Sequence, residues 1–211
     1  MDIFADFKKI VENRNAVVIE CGCHDGYHTN LMCNIGTQRA RSYRHIAVEA
    51  DARILWQAMR NVGERATIVA AAVSDTVGKA PFWLSSGTKR TDRYAGSSSL
   101  NRPAGVMASF PGLHFDSTVD VETVTLDSLC RDNHLDHVDF IWADIQGSEK
   151  RMIRGGLKEC LPMTRYLYTE YSPGGWYEDD ATLEDIIGML PGWKVVHDFK
   201  SDVLLLNEKA V

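Results

Sequence analysis

Carboxylates and glycines at short intervals give this chain its first chemical signal. In residues 16–30, AVVIECGCHDGYHTN, an apolar run leads into Glu20, and Gly22 and Gly26 follow four apart. A strand-to-helix turn of this kind brings backbone close to a ligand at a helix N-terminus. A dinucleotide turn has the pattern G-x-G-x-x-G; here Cys23, His24 and Asp25 follow Gly22, and the glycine of close approach is missing. Glu20 and Asp25 would repel a pyrophosphate and favour a cationic guest. The spacing E-x-G-x-x-x-G therefore suits S-adenosylmethionine, which carries a sulfonium charge and no phosphate. Glu49 lies 23 residues beyond Gly26 at the end of another apolar run. A carboxylate there can accept both ribose hydroxyls of an adenosine. A later group of polar residues comprises Asp144, Gln146 and Glu149 in WADIQGSEK, then Glu170 in TEYSPGGWY.

Strands that end at these groups must position them. A helix is expected over 3–12, with Ile3, Phe4, Phe7, Ile10 and Val11 on one face. Strands over 16–19, 45–48 and 67–73 alternate with helices over 28–36 and 53–61, the latter capped by Asp51 and broken at Gly63. That order calls for parallel pairing through right-handed crossovers. Strands over 79–84 and 119–124 bracket a stretch rich in Ser, Gly and Arg. A loop this long in a compact domain reads as a lid or binding loop, so a substrate insertion is expected at about 85–118. Beyond it come a helix over 125–133, a strand over 138–142, a helical piece over 149–155 and a strand over 165–171. A helix over 183–190 precedes a hairpin of 193–199 and 203–206, turning at Lys200, Ser201 and Asp202. The expected fold is α/β, a mostly parallel sheet with a C-terminal antiparallel hairpin, in one domain over 1–211. Ligands of such sheets bind beyond the carboxyl ends of the strands, where the strand order reverses.

The totals narrow the class. A chain of 211 residues suits one domain. A net charge of −6 without a block of Lys and Arg argues against a nucleic-acid partner. No run approaches the roughly 20 apolar residues that span a bilayer, and the acidic N-terminus is not a secretory signal. Five scattered cysteines, an odd count, read as reduced thiols of a cytoplasmic protein. Cys21, Cys23, His24, His28 and Cys33 gather soft ligands, but C-x-C-H on a strand sends neighbours to opposite faces and lacks zinc spacing. Buried packing is the expected role of the cysteines. His24 and His28 are minor candidates for a proton acceptor.

Taken in order, these stretches resemble the FkbM-type methyltransferases. AVVIECGCHDGYHT is similar to their first motif, vvDvGanxGyyT, and HIAVEA to their second. IVAAAVSDTVGKAPFWL is similar to the strand that follows, and the triple serine of AGSSSL to a serine pair. VETVTLDSLCRDNHLDHVDFIWADIQGSEKRMIRGG resembles their longest signature, a T-L-D start, a strand ending in D-x-E-G-x-E and a helix running to R-G. The resemblance spans about residues 16–172. It implies a class I, Rossmann-like methyltransferase fold, S-adenosylmethionine as donor, and transfer to a hydroxyl of a sugar, glycan or secondary metabolite. The signature's lysine is Ala143 here and its first glutamate is Gln146, while Asp144, Gly147 and Glu149 are kept.

On that resemblance Asp144, Glu149 and Glu170 are the expected catalytic residues, with Asp144 first choice for the base or for orienting the acceptor. Plainer roles stand beside them: a helix N-cap for Asp144, a first-turn acid for Glu149, a surface strand end for Glu170. The cofactor is expected against Glu20, Gly22, Cys23, Gly26, Tyr27, Glu49, Ala50, Ala72, Val73 and Asp144. A small-molecule or glycan acceptor is expected against Ser97, Ser98, Ser99, Gln146 and Tyr171. Arg90, Arg93 and Arg102 could meet an anionic acceptor, and Trp83, Trp142 and Trp176 could offer stacking faces. The clustered carboxylates are compatible with a divalent cation, but Gln146 dilutes their charge and no metal is predicted. Two other readings are a catalytically inactive methyltransferase-like binding protein, supported by Gln146 alone, and a nicotinamide oxidoreductase, which the glycine spacing opposes. None of these motifs sets an oligomeric state.

Overall fold

The structure, a computed structural model, describes residues 2–87 and 96–210; Arg90 and Arg93 lie outside them. Helix α1 (Ile3–Val11) starts where the Asp2 carboxylate accepts from the Phe4 N–H, and it buries Ile3, Phe7, Ile10 and Val11. Strand β1 (Asn15–Cys21), α2 (Tyr27–Arg39), β2 (Ser42–Glu49), α3 (Ala52–Val62) and β3 (Thr67–Ala70) then alternate as expected. Asp51 caps α3 through the Arg53 N–H, and Gly63 ends it at φ +61. After these come β4 (Ala72–Val73), β5 (Gly78–Gly87), α4 (Val106–Ser109), β6 (Leu113–Val124) and α5 (Leu126–Asp132). The chain finishes with β7 (Val138–Ala143), α6 (Glu149–Arg154), β8 (Thr164–Glu170), α7 (Leu183–Met189), β9 (Trp193–Asp198) and β10 (Asp202–Asn207).

The main sheet has seven strands in the order β3-β2-β1-β7-β8-β10-β9. Strand β1 runs parallel to β2 on one side and to β7 on the other, so the order reverses at its carboxyl end. The residues Gly22 to Gly26 leave the sheet at that point. Strand β10 is antiparallel to both β8 and β9, so the terminal hairpin enters the sheet second strand first. Alternation along the strands fills two faces. Val18, Phe140, Trp142, Tyr168 and Leu204 pack against α1 and Met32 of α2. Ile19, Ile141, Leu167, Val203 and Leu205 face the opposite layer, with Leu129, Met152, Ile153 and Ile186. No helix among the described residues is long and apolar enough to cross a membrane.

Two expectations need correction. The run expected as one strand over 67–73 divides at Ala71, whose N–H donates back to Glu49 O and Val69 O. Strand β3 stays in the main sheet, while β4 joins a second sheet of order β4-β6-β5. The interval 85–118 is also not one long loop. Strand β5 extends to Gly87 and β6 begins at Leu113, and the two form a long antiparallel hairpin. Most of β6 faces solvent, so it lacks the apolar alternation that reveals a strand.

Candidate active site

The first cavity opens at the reversal point. Gly22 holds φ +84, and an added Cβ would lie 2.0 Å from the Asp144 carbonyl oxygen, so only glycine lets the β1 turn pass the end of β7. The N–H groups of Gly22 and Cys23 both donate to Val48 O, at 2.9 and 3.0 Å. Above this turn lies a cavity of about 530 Å³, a size typical of small-molecule sites. Of the residues assigned to a cofactor, Gly22, Cys23, Tyr27, Glu49, Ala50, Ala72, Val73 and Asp144 line it.

Glu20 and Gly26 do not. Glu20 is fully buried; its carboxylate accepts from Thr29 Oγ1 at 2.6 Å and pairs with His45 Nε2 at 3.1 Å. It therefore ties α2 to β2 rather than facing the cavity. Gly26 is the N-cap position of α2 at φ +81, and a Cβ there would meet Val62 of α3 at 2.7 Å, so its contribution is close helix packing.

Glu49, 8% exposed, is fixed at the rim: Oε2 accepts from His24 N–H at 2.8 Å and Oε1 from Asp51 N–H at 2.7 Å. Burial raises its carboxyl to about 7, against the pull of those two N–H groups. Each oxygen keeps a lone pair for a ligand hydroxyl. His24, at φ +51, also lines the cavity, and its Nε2 has no partner among the described residues. Asp25, His28, Phe82 and Leu100 line it as well; Phe82 comes from β5 and Leu100 from the connection between β5 and β6. The lining includes the acids Asp25, Glu49 and Asp144 and no Lys or Arg among the described residues. A phosphate would find no cation there, whereas a positive sulfur and a ribose diol fit.

A second cavity, of about 320 Å³, lies beyond β7 and β8. Ser97, Gln146, Glu149, Glu170 and Tyr171 line it, together with Phe110, Trp176 and Tyr177. Gln146 lines both cavities. Its Nε2 donates to Asp144 Oδ1 at 2.6 Å and to Glu170 Oε2 at 3.2 Å. Burial, then the charge of Asp144, pushes Glu170 up to about 10, and burial raises Asp144 as well. Glu149 is 2% exposed, accepts from Gly147 N–H at 3.3 Å, and is raised by burial to about 7. The N-cap role considered for Asp144 falls to Ser148 instead, while Glu149 does sit in the first turn of α6.

The serines need correction. Ser98 lines the first cavity, not the second, and its hydroxyl is engaged: it donates to Asp51 Oδ2 at 3.0 Å and accepts from Ser85 N–H at 3.0 Å. Ser99 lines neither cavity; its Oγ donates to Gln146 O at 2.7 Å. These two latch the loop to the sheet, and Ser97 alone borders the second cavity, its carbonyl accepting from Tyr177 OH at 2.8 Å. Arg102 lies over Trp83 and pairs with Glu178 at 3.7 Å, away from both cavities. Trp142 is a core residue, 4.5 Å from the Tyr168 ring. All five cysteines are free and buried, and burial raises Cys21 and Cys23. No three His, Cys, Asp or Glu side chains among the described residues are grouped to hold a metal ion.

A donor with a positive sulfur and no phosphate suits the first cavity, and the class this defines is the S-adenosylmethionine-dependent methyltransferases. The chain belongs to the FkbM methyltransferase family: the pattern of the methyltransferase FkbM domain matches residues 20–198. It is 32% identical over 206 residues to the 2-O-methyltransferase NoeI of Sinorhizobium fredii (strain NBRC 101917 / NGR234), covering 95% of this chain and 83% of that protein. Among solved structures it is similar in fold to methyltransferase FkbM from Methylobacillus flagellatus KT, with TM-score 0.53, 13% identity and 94% of this chain covered. The chain spans 45% of that protein's length. A putative rRNA-methylase from Clostridium thermocellum shares the fold at TM-score 0.52 and 11% identity, over 96% of this chain and 91% of that one.

Proposed function

We propose that this enzyme methylates a hydroxyl of a small, uncharged, polyhydroxylated acceptor such as a sugar or glycan unit. The cofactor would occupy the first cavity and the acceptor the second. The observation that carries this reading is the junction of the two cavities at Asp144, Gln146 and Glu170. Glu49 would accept the ribose hydroxyls, the backbone of Gly22 and Cys23 would face the amino-acid end, and Ala72, Val73, Phe82 and Leu100 would cover apolar surface. When bound, the cofactor supplies an electrophilic methyl group.

The chain's own residues then align, exclude water and receive a proton. Trp176, Tyr177 and Phe110 offer aromatic faces to the apolar side of a sugar ring. The lining of the second cavity holds no Lys or Arg among the described residues, so an anionic acceptor would find no cation there. Asp144 and Glu170 stand where an acceptor proton would be released, a contribution typically worth about 10²–10⁴ in rate. An oxygen acceptor agrees with the 2-O-methyltransferase relative. The β5–β6 hairpin and the connection between its strands serve as the acceptor-side insertion of a single domain. Five free buried cysteines support a reducing, cytoplasmic setting.

Calorimetry with S-adenosylmethionine and with NAD, followed by turnover across sugars, polyols and carboxylates, tests the proposal. The expected result is binding of the first alone and S-adenosylhomocysteine formation with a neutral sugar or polyol. Binding without turnover on any acceptor would favour the inactive binding protein.

A further inference from the structure

Between the two cavities stands an amide among acids. Gln146 holds φ +53, in the left-handed region, followed by Gly147 at +89. Several contacts fix this turn. Ser99 Oγ donates to Gln146 O at 2.7 Å, Asn101 Nδ2 donates to Gly147 O at 2.6 Å, and Arg151 Nε donates to Asn101 Oδ1 at 2.8 Å. The side chain is thereby aimed between β7 and β8, with its Nε2 donating to Asp144 at 2.6 Å and to Glu170 at 3.2 Å. An amide has two N–H donors and one acceptor oxygen. Asp144 and Glu170 also hydrogen-bond to each other and share a proton; the amide N–H side is set toward the pair because the ionised carboxyl can only accept. With both donors engaged, Oε1 is the atom of Gln146 left for an acceptor hydroxyl.

Resting on the methyl-transfer reading above, we propose that Gln146 is a positioning residue whose amide takes the place a divalent cation would occupy between Asp144 and Glu170, so that the acceptor hydroxyl loses its proton without metal assistance. The surroundings fit this role. The groups acting on the pair are Glu149 of α6, Asp202 of β10 and His28 of α2, with Tyr168 and Tyr177 also in their field. Acids dominate, so the two carboxyls keep one proton between them, one neutral and the other ionised. As the O–CH₃ bond forms and the S–CH₃ bond breaks, the bonding pair leaves on sulfur and the hydroxyl proton passes to the ionised carboxylate, then to solvent. A third carboxylate at position 146 would add a charge to this site and recruit a cation to neutralise it.

The test compares wild type, Gln146→Leu and Gln146→Glu, with calorimetric binding of S-adenosylhomocysteine as the check on folding. Wild-type turnover should be unchanged by EDTA, and a titration with manganese chloride alone should give no binding heat. Gln146→Leu should keep S-adenosylhomocysteine affinity within twofold and lose at least tenfold in kcat. Gln146→Glu should bind manganese, lose at least tenfold in EDTA, and recover on adding manganese chloride. Wild-type turnover abolished by EDTA would overturn the inference while leaving methyl transfer intact. So would undiminished kcat in Gln146→Leu, or Gln146→Glu that ignores manganese in both assays. Should wild type turn over no acceptor, the function proposal fails, and the manganese titrations still decide the role of Gln146.

Discussion

Replacing Glu149 by glutamine should flatten the pH dependence of stability in the ligand-free protein. Glu149 is 2% exposed and lies near Asp144, and burial raises its carboxyl from 4.5 to about 7. The folded state therefore holds this proton more tightly than the unfolded chain. The stabilisation is fully present below the unfolded value and is lost as pH rises through the folded one. With those two values, linkage makes the loss between pH 5 and pH 8 about 2–3 kcal/mol. In a domain of this size that corresponds to a melting temperature lower by about 5–10 °C. Glutamine keeps the shape and the carbonyl acceptor for Gly147 N–H but cannot ionise. Melting curves of wild type and Glu149→Gln at pH 5, 6.5 and 8, without ligand, give the comparison. The expected result is a wild-type decline steeper by about 5–10 °C, superimposed on a slope both proteins share through Glu49 and Glu170. Parallel declines would refute the burial reasoning.

Three further outcomes follow from the same geometry. Glu49→Ala should weaken S-adenosylhomocysteine binding more than tenfold by calorimetry, since each hydrogen bond to a charged group is worth about 1.5–3 kcal/mol; an unchanged Kd would remove Glu49 from the site. Ser98→Ala removes the hydroxyl that donates to buried Asp51 and accepts from the Ser85 N–H; unfolding in urea should show a loss of about 1–3 kcal/mol, and a loss within error would mean the latch is dispensable. Gly22→Ala sets a methyl against the Asp144 carbonyl at φ +84, so cofactor affinity should fall at least tenfold even where the variant folds, and a normal titration would show that the turn can yield.

Much of the first cavity was legible because its residues follow one another in the chain. An apolar strand, a turn with glycines four apart and an acid ending the next strand each leave a local mark. Glu20 escaped for a physical reason. Strand β1 is buried on both faces from Ala16 to Cys21, so its pattern carries no sign of which face an acid points to. The hydrogen bonds to Thr29 and His45 decide that, and they exist only after α2 and β2 have docked. The serines show the same limit: composition suggested free hydroxyls, but Asp51 waits 47 residues away to bind Ser98. Likewise the change to Gln146 is visible in the motif, whereas its bridge to Glu170 spans 24 residues and two strands. Of the β5–β6 hairpin only 79–84 and 119–124 read as strands; the added residues, 113–118 above all, are mostly solvated and have no buried face to impose period two.

A crystal structure of the complex with S-adenosylhomocysteine tests the central claim most directly. The account predicts the ribose diol on the Glu49 carboxylate and the sulfur directed at the Asp144–Gln146 junction, with the second cavity open beside it. S-adenosylhomocysteine bound elsewhere, with Glu49 untouched, would contradict it.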